Sequence, residues 1–371
     1  MLDRKKMYRY FYAKREKEPM KKILLIIMLV ILTVFPVGCS KEQPGIILSA
    51  LSCAGNTLTE EDLTLPEFHI KLSFTGDMIL TADKNNSRSD NFHYYTRNYP
   101  KEYFLDKVRY IFEEDDFTTV NLECVFSDRN LAARDKGSGR AFWFKAPTEN
   151  IEILTCSSVE GVSIANNHTE DYGDQGYQDT VETVVNAELE YGFEDKIIYY
   201  EKKGFRIAVV CHGLWGEWQA NEIIECIEEA EKNSDYQIVF YHGGTEGVYE
   251  PEQWRVRASR KLVDYGADLV IGNHPHVLQP REVYNGAEII YSMGNFCYGG
   301  HSQPKNRTMI YQMELTVDPM KMELTGQEST VIPCYVFTGG GNNNFQPAVI
   351  ENETEKQKVL DFMDGKRSTP Q

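Results

Sequence analysis

No two of the eight cysteines are spaced as C-x-x-C, so the sequence offers neither a thiolate zinc knuckle nor a thioredoxin-like redox pair. No phosphate loop is present. The one glycine-rich run, GGGNNN at 339–344, lacks the Gly-Lys-Ser/Thr ending and reads as a turn. With no ATP-binding motif, an ATP-driven ligase is excluded. Positive charge is scarce: 39 Lys and Arg stand against 56 Asp and Glu, for a net charge of -17. The first 38 residues hold nine basic and three acidic side chains, a net of +6, which leaves -23 on the remainder. Nucleic acid is thereby excluded as a partner, because grasping a phosphate backbone takes a basic face. A polyanionic ligand would need a local basic patch or a bound metal to overcome the general repulsion. There is also no internal repeat.

Long hydrophobic runs are confined to one place. ILLIIMLVILTVFPV, Ile23–Val37, follows a basic stretch and precedes GCSKEQPG. Fifteen residues are short for a bilayer span of roughly 17–25 and sufficient for a signal-peptide core. The VGC ending at Cys39 resembles a bacterial lipoprotein cleavage site, although Pro36 stands where that pattern carries an aliphatic residue. Residues 1–39 are therefore expected to be a lipoprotein leader lipidated at Cys39, or else an uncleaved N-terminal anchor. In both cases the flanking Lys and Arg keep the N-terminus inside and place the rest on the extracytoplasmic face. Residues 40–66 are polar and irregular, as a tether would be.

From Phe68 the pattern changes. FHIKLSFTGD, FTTVNLEC, EGVSIANNH, FRIAVVCHG, YQIVFYHGG and ADLVIGNHPH are short β-rich runs, each ending in polar or glycine residues. Cys124, Cys211 and Cys297 lie in apolar, strand-like surroundings and are expected to be buried thiols rather than bridges. Helical stretches alternate with the strands. GYQDTVETVVNAELEYG puts Val181, Val184, Val185 and Leu189 on one face, and PEQWRVRASRKLVDYG opens on proline and stops at glycine. This alternation predicts an α/β domain over 67–350, followed by a closing helix and tail over 351–371. Ligands of such sheets sit beyond the carboxyl ends of the strands. Asp77, Glu123, Asn167, His168, His242, His274 and His276 all fall there.

Each of these residues alone has an ordinary reading: a strand-end Asp caps a helix, and a loop His is satisfied by a hydrogen bond. Together they supply carboxylate, amide and imidazole from five strand ends, a donor set suited to Mn, Fe, Zn or a similar divalent ion. Without cysteine, the set favours an open, catalytic type of site over a structural zinc. In H-P-H, Pro275 is expected to hold His274 extended, so that both imidazoles share a side and serve one or two ions. Glu246 and Asp171 either orient imidazoles or cap helices. Arg134, Lys136, Arg140 and Lys145 form the basic patch best placed for an anionic chain, with Arg140 and Lys145 as substrate-binding candidates; a solvated loop is the alternative. YSMGNF reads as a strand and turn packed beneath the site.

FTGDMIL, NLE, FWFKAP, ANNHTEDYGDQG, HGGTEGVYEPEQW and GADLVIGNHPHVLQPREVYNGAEIIYSMGNF resemble, in order and spacing, the signature of the CapA family. These are proteins of poly-γ-glutamate capsule synthesis related to calcineurin-like metallophosphoesterases. The similarity spans roughly Lys71 to Phe296. It implies a four-layer α-β-β-α sandwich with the motif loops at one edge. By position it gives Asp77 as the opening catalytic and metal-binding aspartate, Glu123 as the bridging carboxylate, and Asn167 as the amide ligand. His168 matches the histidine that assists the leaving group, and His242, His274 and His276 match the later metal ligands. One departure stands out: the wider superfamily has Asp-x-His at the first motif, and here the third position is Ile79. One ion set (Glu123, Asn167, His242, His274) is complete, while the other (Asp77, Glu123, His276) lacks an imidazole. Two-metal hydrolysis uses ions roughly 3.5–4 Å apart.

The resemblance implies a surface-anchored accessory protein for assembling, exporting or tethering a poly-γ-glutamate-type polymer, with capsule synthesis or export proteins as partners. The alternatives are a secreted metal-dependent hydrolase of phosphoesters or γ-glutamyl amide bonds, and a structural lipoprotein with a relict site.

Overall fold

A computed structural model describes residues 65–137, 141–300 and 304–371. The expected leader with Cys39, nearly all of the tether, and Arg140 lie outside them. His69–Val317 and Leu324–Gln371 make up one compact unit. It carries every described candidate site residue. Residues 65–68 and 318–323 fall to a second unit. No helix among the described residues is long and apolar enough to cross a membrane.

The first strands in chain order are β1 (Phe68–Ile79), β2 (Phe117–Leu122), β3 (Val125–Phe126), β4 (Lys145–Ala146), β5 (Gly161–Ser163) and β6 (Glu190–Gly192). Then come β7 (Ile198–Lys202), β8 (Phe205–Gly213), β9 (Tyr236–His242), β10 (Leu269–Asn273), β11 (Leu278–Tyr284) and β12 (Ala287–Met293). β13 (Asn295–Tyr298), β14 (Thr308–Asp318), β15 (Glu323–Tyr335) and β16 (Ala348–Val349) complete the described set. The helices are α1 (Phe92–Asn98), α2 (Arg109–Glu113), α3 (Glu152–Thr155), α4 (Gly173–Asn186), α5 (Ala220–Asn233), α6 (Gln253–Asp264) and α7 (Glu353–Met363).

Two large sheets result. One runs β16-β15-β14-β1-β2-β5-β6, with β13 also paired to β1; the other runs β11-β12-β10-β9-β8-β7. β1, β2, β5, β6 and β13 are parallel, as are β8, β9, β10 and β12. Every residue of β2, β9 and β10 is buried, the signature of strands covered on both faces. The sheets face one another through Phe74 on Phe240, ring centroids 5.7 Å apart, and through the Tyr311 hydroxyl donating to Glu288 Oε2 at 2.9 Å. On the far side of the second sheet, Ile223, Ile227, Ala258 and Leu262 of α5 and α6 pack against Val210, Val239 and Val270. The first sheet's outer face meets Phe92, Phe112, Leu154 and Val184. The layers are therefore helix, sheet, sheet, helix: the α/β domain read from the alternation, layered as the CapA resemblance implied. Cys124, Cys211 and Cys297 are buried free thiols.

One helix face differs from its expectation. α4 stops at Asn186, Glu188 takes a left-handed backbone (φ 59°), and the Leu189 N–H closes on the Val184 carbonyl at 3.1 Å. That is a Schellman-type stop, with Leu189 buried from beyond the helix. Val185, one residue and about 100° around from Val184, is 54 % exposed rather than in the core.

The carboxyl end of β1 is shaped by one close approach. The Asp77 N–H donates to the Gly294 carbonyl at 2.9 Å, and a Cβ on residue 76 would stand 1.8 Å from that same oxygen. Gly294 itself has φ +70°, a backbone that favours glycine. Gly76→Ala is expected to lower unfolding free energy in a urea titration by at least ~1–3 kcal/mol through overpacking. A change within about 0.5 kcal/mol would contradict this packing.

Candidate metal centre

Parallel strands in both sheets deliver their carboxyl ends to one place, and the polar residues that end each run meet there. Asp77 lies on β1, Glu123 one step past β2, Asn167 and His168 past β5, His242 at the end of β9, and His274 and His276 just past β10. The pairing of β1 shifts register on both sides of Asp77, between Thr75 and Asp77 against β2 and between Asp77 and Ile79 against β13. Bulges re-aim side chains. Asp77 ends in the polar cluster, while Ile79 joins the apolar core under the helices.

Glu123 is the hub. Its Oε1 stands 3.5 Å from His242 Nε2, 3.7 Å from His168 Nε2 and 3.8 Å from His276 Nε2. His242 Nε2 is also 2.8 Å from Asn167 Oδ1 and 3.0 Å from His274 Nδ1. On the other flank His276 Nδ1 lies 3.0 Å from Asp77 Oδ2 and 2.9 Å from Asn295 Oδ1. Asn121 Nδ2 donates to Asp77 Oδ1 at 2.8 Å and lies 3.0 Å from His242 Nδ1, tying the flanks together. Asn167 and Glu246 are exposed at the open side. The carboxylate of Glu246 comes within 4.8 Å of donor atoms of His274 and His276. Trp215, 42 % exposed, sets its ring 5.0 Å from that of His274.

His274 and His276 do not form the extended segment expected around Pro275. Their φ angles are 97° and 55°, left-handed values costly for side chains with a Cβ. The bend carries both imidazoles to the cluster, with rings 5.7 Å apart. It is held by the His274 N–H reaching Asp77 Oδ2 at 3.3 Å and the Gly247 N–H on the Pro275 carbonyl at 2.8 Å.

Between the two readings open for Asp171, the structure selects the imidazole partner. Its Oδ2 lies 2.7 Å from His168 Nδ1 and accepts from the Phe144 N–H at 2.7 Å, while Lys136 pairs with Oδ1. This leaves His168 Nε2 directed at Glu123. Arg134 is engaged with Glu170, and Lys145 Nζ donates to the Arg129 carbonyl at 2.5 Å.

Electrostatics explain what the cluster calls for. Burial would raise the Glu123 carboxyl, but His276, His242 and His168 outweigh it and hold the group well below the ordinary carboxylate range. Burial, reinforced by His242 and His276, pushes His274 down to about 2, leaving a neutral imidazole with its lone pair free. His276 is raised to about 10: burial lowers it, and Glu123 and Asp77 prevail. Two buried carboxylates thus draw positive charge into a space with no Lys or Arg among its donors.

Glu123 decides the fit to a cation. It is fully buried, and neither oxygen accepts a hydrogen bond. At 3.5 Å, His242 Nε2 is too distant for a good one. Two donors each about 2.1 Å from a shared ion and ~110° apart stand ~3.4 Å from each other. The contacts around Glu123 have that spacing. Glu123, His242 and His274 form one set able to hold an ion, and Asp77, Glu123 and His276 form another sharing the same carboxylate.

Residues 71–299 match the family model described as "Bacterial capsule synthesis protein PGA_cap". The chain belongs to this family. It is 27% identical over 340 residues to the PGA biosynthesis protein CapA of Bacillus subtilis, covering 85% of this chain and 83% of that one. It is also 27% identical over 243 residues to the capsule biosynthesis protein CapA of Bacillus anthracis, covering 57% and 58%. A probable polyglutamine synthesis accessory protein of Mycobacterium tuberculosis is 22% identical over 244 residues, covering 54% and 60%. Among solved structures, a phosphatase of Mycoplasma pneumoniae aligns with TM-score 0.43 and 13% identity over 72% of this chain and 95% of that one.

Within this family member, the sequence reading passed over Asn121, Asn295 and Arg255. Asn121 carried a signal, since it sits two residues before Glu123 and so shares its face of an extended strand. Arg255 gave none. On α6 it is fully buried, donates to the Gly243 carbonyl at 2.7 Å, bonds Gln279 Oε1, and lies 3.1 Å from Glu252 Oε2. One guanidinium therefore braces the loop after His242 and the strand after His276. Arg255→Met should cost about 3–5 kcal/mol in chemical denaturation, because the Glu252 carboxylate loses its buried partner. A loss below ~1 kcal/mol would show that the brace is dispensable.

Proposed function

We propose that this capsule-synthesis family member acts on the extracytoplasmic face of the cell membrane, where it uses bound divalent metal to assemble, export or tether a poly-γ-glutamate-type polymer. Its similarity to a PGA biosynthesis protein of Bacillus subtilis and a capsule biosynthesis protein of Bacillus anthracis supports the polymer, and the basic, apolar and VGC pattern up to Cys39 supports lipid anchoring. The observation that carries the metal is Glu123: a buried carboxylate with no hydrogen-bond donor, ringed by three imidazoles.

Glu123, Asn167, His242 and His274 would hold one ion, and Asp77, Glu123 and His276 a second. A divalent cation there supplies Lewis acidity and a local positive charge toward carboxylates or phosphoryl oxygens. The protein's own groups do the rest. Asn121 orients His242 through its Nδ1, Asp171 fixes the tautomer and direction of His168, and Lys136 adds charge beside it.

A second reading, hydrolysis of a phosphoester or a γ-glutamyl amide, is favoured by His168 itself. Held through Nδ1 by Asp171, its imidazolium form would give the Nε2 proton to a departing oxygen or nitrogen and be left as the neutral Nδ1–H ring.

Metal analysis of the full chain purified in detergent separates these readings, combined with assays on a phosphoester and on poly-γ-glutamate. Tightly held metal with polymer binding and no turnover is expected for the accessory role. Turnover lost in His168→Ala, with metal retained, would establish the hydrolase instead. Glu123→Gln should weaken metal at least ~100-fold. A wild-type chain holding neither metal nor polymer would end the proposal.

A further inference from the structure

Two glycine-led dipeptides, Gly76-Asp77 and Gly294-Asn295, come together at the carboxyl end of β1. β13 lies parallel to β1 with Asn295 as the register partner of Asp77 and Tyr298 as that of Ile79. The missing Cβ at Gly76 allows this contact, because any side chain there would collide with the Gly294 carbonyl that receives the Asp77 N–H. Asn295 is 1 % exposed. Its Nδ2 donates to the His276 carbonyl at 3.2 Å, which turns Oδ1 toward His276 Nδ1, 2.9 Å away. That nitrogen lies 3.0 Å from Asp77 Oδ2, and the ring of Tyr298 backs the imidazole at 5.7 Å.

These distances fall on the flank where the ion set is short. Ile79 occupies the position of the first-motif imidazole, and its side chain belongs to the apolar core. On the metal reading given above, we infer that Asn295 Oδ1 supplies the donor that Ile79 cannot, completing a second cation subsite with Asp77, Glu123 and His276. The substitution changes the chemistry as well as the count. Two carboxylates, an amide oxygen and one imidazole form an oxygen-rich set, which suits Mn²⁺ better than the nitrogen-rich set around His242 and His274 does.

The test is a Mn²⁺ titration of the chelator-treated full chain, counting ions by mass spectrometry and following the electron paramagnetic resonance signal of a spin-coupled pair. Wild type is expected to bind two Mn²⁺. Asn295→Ala should hold the first ion unchanged, weaken the second by ~10-fold or more, and lose the coupled signal. Asn295→Asp, which restores an oxygen donor, should keep both. Two equally tight ions in Asn295→Ala, or only one in wild type, overturns the assignment and leaves the metal reading standing. Loss of both ions in Asn295→Ala assigns the residue to the architecture and likewise overturns it. No ion in the wild-type chain removes the inference together with the metal reading.

Discussion

A carboxylate taken out of water and given no hydrogen-bond donor is among the most costly groups a fold can contain. Glu123 is in that condition, and much of the structure around it serves to make that condition tolerable. Three imidazoles approach it from three different strand ends, and Asp77 adds a second buried charge nearby. Without a metal ion, a protonated His276 is the charge that stands against this buried pair of carboxylates. The left-handed backbone at His274 and His276 fits the same account: strain accepted where the imidazoles must turn inward.

The layered fold translates this local demand into architecture. The central strands β2, β9 and β10 are buried on both faces, and polar residues follow at their carboxyl ends. The two sheets placed face to face bring those ends to one edge. The bracing groups are buried as well: Arg255 behind the His242 loop, Asn121 between Asp77 and His242, and Asp171 behind His168. Positioning here is achieved by hydrogen bonds whose donors and acceptors have no competing water, which is where such bonds orient most firmly.

Much of this was legible in the sequence, and the limits of that legibility are physical. Period-two and period-3.6 patterns are local, so the strands ending at Asp77, Glu123, His242 and His274 and the helices α4 and α6 could be read directly. Asn121 was within reach by the same alternation from Glu123. The stop of α4 depended on a single left-handed residue, Glu188, whose type gives no warning, and so Val185 was assigned to the core face. H-P-H suggested an extended segment because proline restrains its predecessor. The pull of Asp77 on the His274 N–H is a long-range contact and overrode that restraint. Asn295 and Arg255 act on His276, Gly243 and Gln279, 12 to 24 positions away, through strand pairing and helix packing that local periodicity does not reveal.

The charge balance connects the site to its proposed partner. Residues 39–371 carry 23 excess negative charges, so a polyanion meets repulsion over most of the surface it approaches. Of the four basic residues in the best-placed patch, Arg134 is committed to Glu170 and Lys136 to Asp171, while Lys145 is tied to a backbone carbonyl. Side chains already neutralised by partners contribute little net attraction. A divalent ion held by Glu123 and the imidazoles would then be a source of positive potential for an anionic chain, at the side where Asn167, Glu246 and Trp215 are exposed. On this argument the metal and the polymer are not independent features: without the cation, the acidic surface has little with which to hold a polycarboxylate.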